Sequence, residues 1–269
     1  VSTMTAKAAS PPSSRVGVGA TIQQTATLAW RSLVQIKHNP WELLDLSIQP
    51  IMFLLLFTYV FGGAISGSTG DYLQFALPGL LVQNALFYTL STAIGLNSDI
   101  TKGVFDRLRS LPISRTAPLA GRVIADTFKQ IWAFALLVGF GAVLGFRVQT
   151  DLLGVLGALA LLVVVSLAMA WMSVLIGLIA SSPEKVQMIS FSAMMPLTFT
   201  SSALVPADTF PAWLKTWSDL NPVTHLADAI RGMMIGGEVA SPALVSLLWA
   251  AGFALVFAPI AINVFRTRI

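Results

Sequence analysis

Lys102-Gly103-Val104-Phe105-Asp106-Arg107-Leu108-Arg109-Ser110-Leu111-Pro112-Ile113-Ser114-Arg115 is a short charged island in an otherwise apolar chain. A long hydrophobic segment stands on each side of it, so it reads as a loop between two membrane spans. Of the 269 residues 55% are hydrophobic and 10% charged, and the mean hydropathy is +0.78. Soluble domains carry about 25% charged residues, which excludes a soluble fold. The net charge of +4 is no nucleic-acid signal, because the basic residues sort by membrane side. The absence of cysteine excludes a disulfide scaffold, a thiolate metal site and a cysteine nucleophile. His38 and His225 are too few and too far apart to suggest a metal centre.

A spanning helix needs about 20 mainly apolar residues. Upstream of the island this predicts spans at 43–61 and 72–96, joined by a Gly/Ser loop over 64–70, with Pro78-Gly79 interrupting the second. Downstream it predicts spans at 123–146, 152–180, 186–205 and 243–264, with Ser181-Ser182-Pro183-Glu184-Lys185 as a tight turn. Residues 21–39 carry Ile22, Ala26, Ala29, Trp30 and Leu33 at helical spacing and read as an amphipathic helix in the inner interface. Residues 1–20 have no apolar run and read as a disordered cytoplasmic tail. The expectation is an all-α membrane protein with about six spans filling residues 40–269 and both termini cytoplasmic. With that orientation all of the 16 Lys and Arg except Arg147, Lys215 and Arg231 fall inside, while the 12 acids divide evenly. Topology follows Lys and Arg rather than net charge.

No phosphate-binding G-x-x-x-x-G-K-[ST], H-E-x-x-H or G-x-S-x-G motif occurs. Carriers driven by an ion gradient keep an ionisable residue deep in a span. Here only Asp126 and Lys129 come close, near the inner end of the third span, with Arg122 placed to pair with the carboxylate. Anchoring explains them better than a proton relay, which leaves a permease driven by a separate ATPase. Such a permease needs a cytoplasmic element that fits the ATPase. In the island Val104, Leu108 and Leu111 share helical spacing, Gly103 precedes and Pro112 terminates, so a short helix is predicted over about 101–112. Phe105 beside Arg107 and Arg109 is docking chemistry. Spacing alone leaves equally open a basic loop lying on anionic lipid.

The chain resembles the ABC-2 type permeases, most closely their daunorubicin-resistance-like branch. The resemblance rests on His38-Asn39-Pro40 leading into Pro50 to Gly62, on Tyr72 to Leu80, and on the island's Gly103-Val104-Phe105-Asp106-Arg107-Leu108-Arg109-Ser110-Leu111-Pro112-Ile113-Ser114, similar to the family's G-x-x-[ED]-R-L-x-x-x-P-[IV]-S. It continues through Ser202 to Pro206, Phe210 to Leu214, Leu220 to His225 and Asp228 to Gly232. The order and spacing of these pieces are specific where each alone is weak. Asp106 stands where Glu is common. The resemblance implies the membrane half of an ABC exporter: this chain with a second permease chain, a copy or a paralogue, and two ATPase subunits that bind Mg-ATP, with no cofactor in the chain itself. It implies that Lys102, Gly103, Val104, Phe105, Asp106, Arg107, Leu108, Arg109 and Pro112 belong to the coupling helix.

Residues 206–237 read as a re-entrant outer segment. Phe210, Pro211, Trp213, Leu214 and Trp217 place aromatics on a short helix after Pro206, stopped by Asn221-Pro222. An exit gate is favoured over a belt that only anchors depth, partly through the resemblance. Polar residues in the second span (Gln83, Asn84, Tyr88, Asn97) and the fifth (Gln187, Thr198, Ser201, Ser202) mark faces turned to other helices or a substrate route. Gly141-x-x-x-Gly145 reads as a packing motif. The expected activity is export of an amphipathic drug, secondary metabolite or lipid-linked product by alternating access. A polysaccharide or teichoic-acid exporter of the same superfamily is the alternative. A lipid-modifying membrane enzyme is a weaker one, since Asp208, Asp219, His225, Asp228 and Glu238 show no metal spacing.

Overall fold

The structure is a computed structural model that describes Thr27 and residues 40–104 and 117–268, with side chains over 47–104, 124–265 and at Thr267. The described secondary structure is helical throughout. Helix α1 (Pro40–Leu56) runs through a π turn (Phe57–Phe61) into α2 (Gly62–Ser66), followed by α3 (Thr69–Thr101), α4 (Ala117–Leu144), α5 (Leu152–Ile179) and α6 (Pro183–Phe199). A 3-10 turn (Ala207–Thr209) leads to α7 (Ala212–Leu220), α8 (Pro222–Ile235) and α9 (Ala240–Arg268). Among the described residues five stretches are long and apolar enough to cross a membrane: Ser47–Ser66, Thr69–Thr101, Ile124–Leu144, Leu152–Ile179 and Ala240–Phe265. Except at Thr27, which is helical, the expected interfacial helix at 21–39 lies outside the described residues, as does the tail.

Two expectations about the first pair of spans are corrected. The loop expected over 64–70 shrinks to Gly67-Ser68, because α2 continues to Ser66 and ends on Gly67 at φ 74, a conformation that favours glycine. Ser68 then caps α3: its hydroxyl accepts from the Asp71 N–H at 3.0 Å and donates to the Asp71 carboxylate at 2.6 Å. Nor does Pro78-Gly79 interrupt α3, which runs 33 residues, about 50 Å at 1.5 Å per residue. Proline removes one backbone donor, but hydrocarbon offers no water to replace the ladder, so the helix persists where neighbours enclose it.

Helix α3 is the central post. It packs against α5, α6, α8 and α4, while α9 lies along α5 and α1 leans on α4 and α3. Tyr72, Leu73, Leu77, Leu81, Leu86 and Leu96 are fully buried along it. Small residues let helices close: a Cβ on Gly177 of α5 would stand 2.7 Å from the Ala93 carbonyl oxygen of α3. The pair Gly141 and Gly145 divides in role. Gly141 packs under Leu77, whereas Gly145, at φ 112, follows the end of α4, where an added Cβ would meet nothing, and its carbonyl accepts from Gln74 at 3.3 Å.

The predicted span at 186–205 is also corrected. Helix α6 stops at Phe199 after 17 residues, about 26 Å. Three hydroxyls near this point compete with the helical ladder. Thr200 Oγ1 donates to the Pro196 carbonyl at 2.6 Å and Ser201 Oγ to the Thr198 carbonyl at 2.6 Å, while the Ser202 N–H donates to Thr224 Oγ1 at 3.2 Å. Residues 200–206 therefore leave the helix and cross α3. Contacts of Tyr72 with Leu204, Phe75 with Arg231 and Thr150 with Met233 gather the 67–68, 145–151 and 200–239 connections at one end of the bundle, termed the outer end after its scarcity of Lys and Arg.

Candidate functional site

The inner end of α3 defines where the charged island begins. The Lys102 N–H donates to the Ser98 carbonyl and that of Gly103 to Ile100, both at 3.0 Å, and Gly103 turns into the left-handed region at φ 66. This is the glycine stop common at helix C-termini. Val104 is helical again, and Thr101, the predicted start of the short helix, belongs instead to the end of α3. Lys102 is exposed and Val104 half-buried. Phe105, Asp106, Arg107, Leu108, Arg109 and Pro112 lie outside the described residues.

One turn before this stop, Asn97 is buried and donates its amide to the carbonyls of Gly177 and Ala180, each at 2.8 Å. Those carbonyls sit at the end of α5, where the ladder leaves acceptors unpaired. Asn97 therefore fastens the inner ends of α3 and α5 together. Other polar ties follow the same logic: Thr92 donates to Asp126 at 2.7 Å, Ser173 to Thr89 at 3.0 Å and Gln130 to Ser166 at 2.7 Å. The third-span carboxylate is thus engaged by α3.

At mid-height a narrow open cleft of about 10 Å³ lies between α1, α3 and α4, lined by Gln49, Phe53, Leu80, Gln83, Asn84 and Phe87, with Pro50 and Leu137 completing it. Gln83 is 3% exposed and its carbonyl oxygen has no hydrogen-bond partner among the described residues. A buried amide oxygen left unpaired is unfavourable, and this one lies beside the two further amides of Gln49 and Asn84. Phe87 also meets Phe191 of α6, ring centroids 6.3 Å apart. Tyr88 is half-buried and Gln187 exposed on α6. Gln49 was not among the sequence-predicted residues, although a glutamine inside an apolar span is itself the signal.

At the outer end Arg231 of α8 is enclosed. Its guanidinium donates to Asp228 at 2.5 Å, to the Phe75 carbonyl of α3 at 3.3 Å and to the Ser202 carbonyl at 3.2 Å, and sits 4.0 Å from the Phe75 ring centroid. Ser202 also donates to Asp228 at 3.0 Å, and Thr224 pairs with Ser218 at 3.1 Å. Burial lowers the Arg231 pKa, and Asp228 opposes that shift. Of the predicted route residues, Ser201 and Ser202 belong to this outer turn and Thr198 is buried beneath it. Sequence reading treated Asp228 to Gly232 as a family match only and missed that 222–235 is a helix. Its Asn221 cap, accepting from Val223 at 2.9 Å, and Pro222 at the first position were the available signals.

The predicted outer aromatics form α7 and its approach. Trp213 is 74% and Trp217 51% exposed, while Pro206, Phe210 and Leu214 are half-buried and Pro211 exposed. The Trp217 indole N–H donates to Thr200 at 2.8 Å. The Lys215 ammonium reaches Asp208 at 2.7 Å, lowering the aspartate pKa by hydrogen bond and charge. His225 meets the Asp219 carbonyl at 2.9 Å, and no cluster of three His, Asp or Glu side chains that could hold a metal occurs among the described residues.

The profile of the ABC-2 type transporter family matches residues 23–235. The chain is 40% identical over 247 residues to daunorubicin resistance ABC transporter permease protein DrrB1 of Streptomyces coeruleorubidus, covering 92% of this chain and 87% of that protein. It is 28% identical over 244 residues to the probable doxorubicin resistance ABC transporter permease protein DrrC of Mycobacterium tuberculosis, covering 90% and 88%. It is 22% identical over 199 residues to the inner membrane transport permease YadH of Escherichia coli, covering 70% and 75%.

Proposed function

The chain belongs to the ABC-2 type transporter family, and from that premise we propose that it is the membrane subunit of an ATP-driven exporter of amphipathic, aromatic compounds. It is a multi-pass membrane protein of a transport family rather than an enzyme. The observation that carries the substrate reading is the cleft between α1, α3 and α4. It offers neutral amides, phenyl faces and an unpaired buried oxygen at Gln83, with no charged side chain in its lining. Such a lining suits a planar, hydrogen-bonding, largely uncharged surface. The drug-resistance names of two of these relatives point the same way.

In the proposed mechanism Mg-ATP closes two ATPase subunits on the cytoplasmic side, and the element from Val104 to Pro112 transmits that closure. Gly103 separates this element from α3, and Asn97 couples α3 to α5, so a push at the island reaches two helices together. A second permease chain, a copy or a paralogue, completes the route against the exposed faces of α1 and α6, where Gln49 and Gln187 would otherwise meet lipid. The aromatics of 206–217 border the exit. The test is ATP hydrolysis in lipid by the ATPase, with and without this chain. Stimulation is expected, and Phe105→Ala with Arg107→Glu should abolish both association and stimulation. Unchanged association in that double variant refutes the coupling assignment.

A further inference from the structure

We infer that Arg231 clasps the outer half of α3, the 200–206 turn and α8 into one rigid block, so that an exit opens by movement of this block as a unit and not by bending at Pro78-Gly79. Three separate stretches of chain converge on one guanidinium. The Phe75 carbonyl belongs to α3 one turn before Gly79, the Ser202 carbonyl to the turn, and Asp228 to α8 itself. Ser202 closes the loop by donating to the same Asp228 oxygen that Arg231 holds. The Phe75 ring lies against the cation, its centroid 4.0 Å from the guanidinium carbon.

Two contacts flank the clasp and fix the same pieces. The Tyr72 hydroxyl donates to the Leu204 carbonyl at 2.9 Å, below the clasp along α3. Above it, the Ala203 carbonyl lies so close to Gly79 that a Cβ there would meet it at 1.7 Å. A helix that bends at 78–79 would have to separate Ala203 from Gly79 while Arg231 still held Phe75 and Ser202. Breaking the clasp would take the carboxylate and two carbonyls from a largely buried cation, 15% exposed against 40% for Asp228, which is unfavourable. The Pro-Gly pair is therefore a seat for the turn. Arg231 is a positioning residue, and lysine cannot replace it, because three acceptors in three directions need the planar fork.

The statement about exit opening rests on the exporter reading; the block itself does not. The chain has no cysteine, so spin labels can be placed at Gly70→Cys, where an added side chain meets nothing, and Glu238→Cys, an exposed side chain whose backbone packs on Gly232 of α8. In nanodiscs with the ATPase bound, the distance distribution between labels is expected to be narrow and to superimpose between nucleotide-free and nucleotide-trapped states. Arg231→Lys is expected to broaden it, and Phe75→Leu, which removes only the covering ring, to broaden it less. A shift or second population on trapping overturns the proposal, and so does an unbroadened distribution in Arg231→Lys. If no ATPase associates, the exporter reading fails, while the Arg231→Lys comparison on the permease alone still decides the clasp.

Discussion

Replacing Gly79 by alanine tests the outer architecture with a single methyl group. On helix propensity alone the change should stabilise, since glycine inside a helix is about 1 kcal/mol worse than alanine. Geometry reverses the sign. The new Cβ would lie 1.7 Å from the Ala203 oxygen, 2.5 Å from its carbonyl carbon and 2.9 Å from its Cα, against backbone that has no rotamer to change. Ordinary contact begins near 3.4 Å, so the turn must retreat by about 1.7 Å to restore van der Waals separation. That retreat would stretch the Leu204 bond to Tyr72 (2.9 Å), the Ser202 bond to Arg231 (3.2 Å) and the Ser202 bond to Thr224 (3.2 Å) beyond hydrogen-bonding range. At about 1 kcal/mol per neutral bond and about 2 for the charged one, the loss is about 4 kcal/mol before any gain from relaxation. Less the propensity gain, the expected net destabilisation is about 3 kcal/mol.

The assay is thermal unfolding of the purified chain in one detergent, followed by intrinsic tryptophan fluorescence, with Gly139→Ala as its internal control. Gly139 is exposed on α4 and an added Cβ there meets nothing within 4 Å, so that variant should match or exceed the parent in stability. The reasoning is refuted if Gly79→Ala unfolds at or above the temperature of Gly139→Ala.

Two further outcomes follow from the site geometry. Gln83→Leu removes a buried amide whose oxygen has no partner, so melting temperature should hold or rise while export of an aromatic substrate by inverted vesicles falls several-fold; equal transport in the variant would remove the cleft from the route. Asn97→Ala strips two carbonyls of Gly177 and Ala180 of their donor, which should destabilise by about 1–3 kcal/mol and loosen the link between ATP hydrolysis and export. A variant that keeps parental stability and the parental ratio of drug moved to ATP hydrolysed would show that Asn97 is no tie.

The span pattern was legible because apolar length and Lys/Arg placement are local properties, and five helices lie where a count of apolar residues puts them. The misreadings share a different cause. Pro78-Gly79 looks like a break when only the backbone donor is counted, but what glycine answers to there is Ala203, 124 residues away in the chain and invisible to any local window. The stretch Asn221 to Arg231 looks semi-polar and therefore loop-like, yet Leu226, Ala227, Ala229 and Ile230 are almost fully buried. Its polar members find partners in other elements: Thr224 and Asp228 accept from Ser202, and Arg231 donates to the carbonyls of Phe75 and Ser202. Polarity in a membrane chain therefore reads in two ways that composition cannot separate. Where partners exist, as at Arg231, it holds helices together. Where an oxygen stays unpaired beside a cleft, as at Gln83, the proposed function makes it an acceptor for a visiting group. That contrast between Arg231 and Gln83 rests on hydrogen-bond partners rather than on residue type.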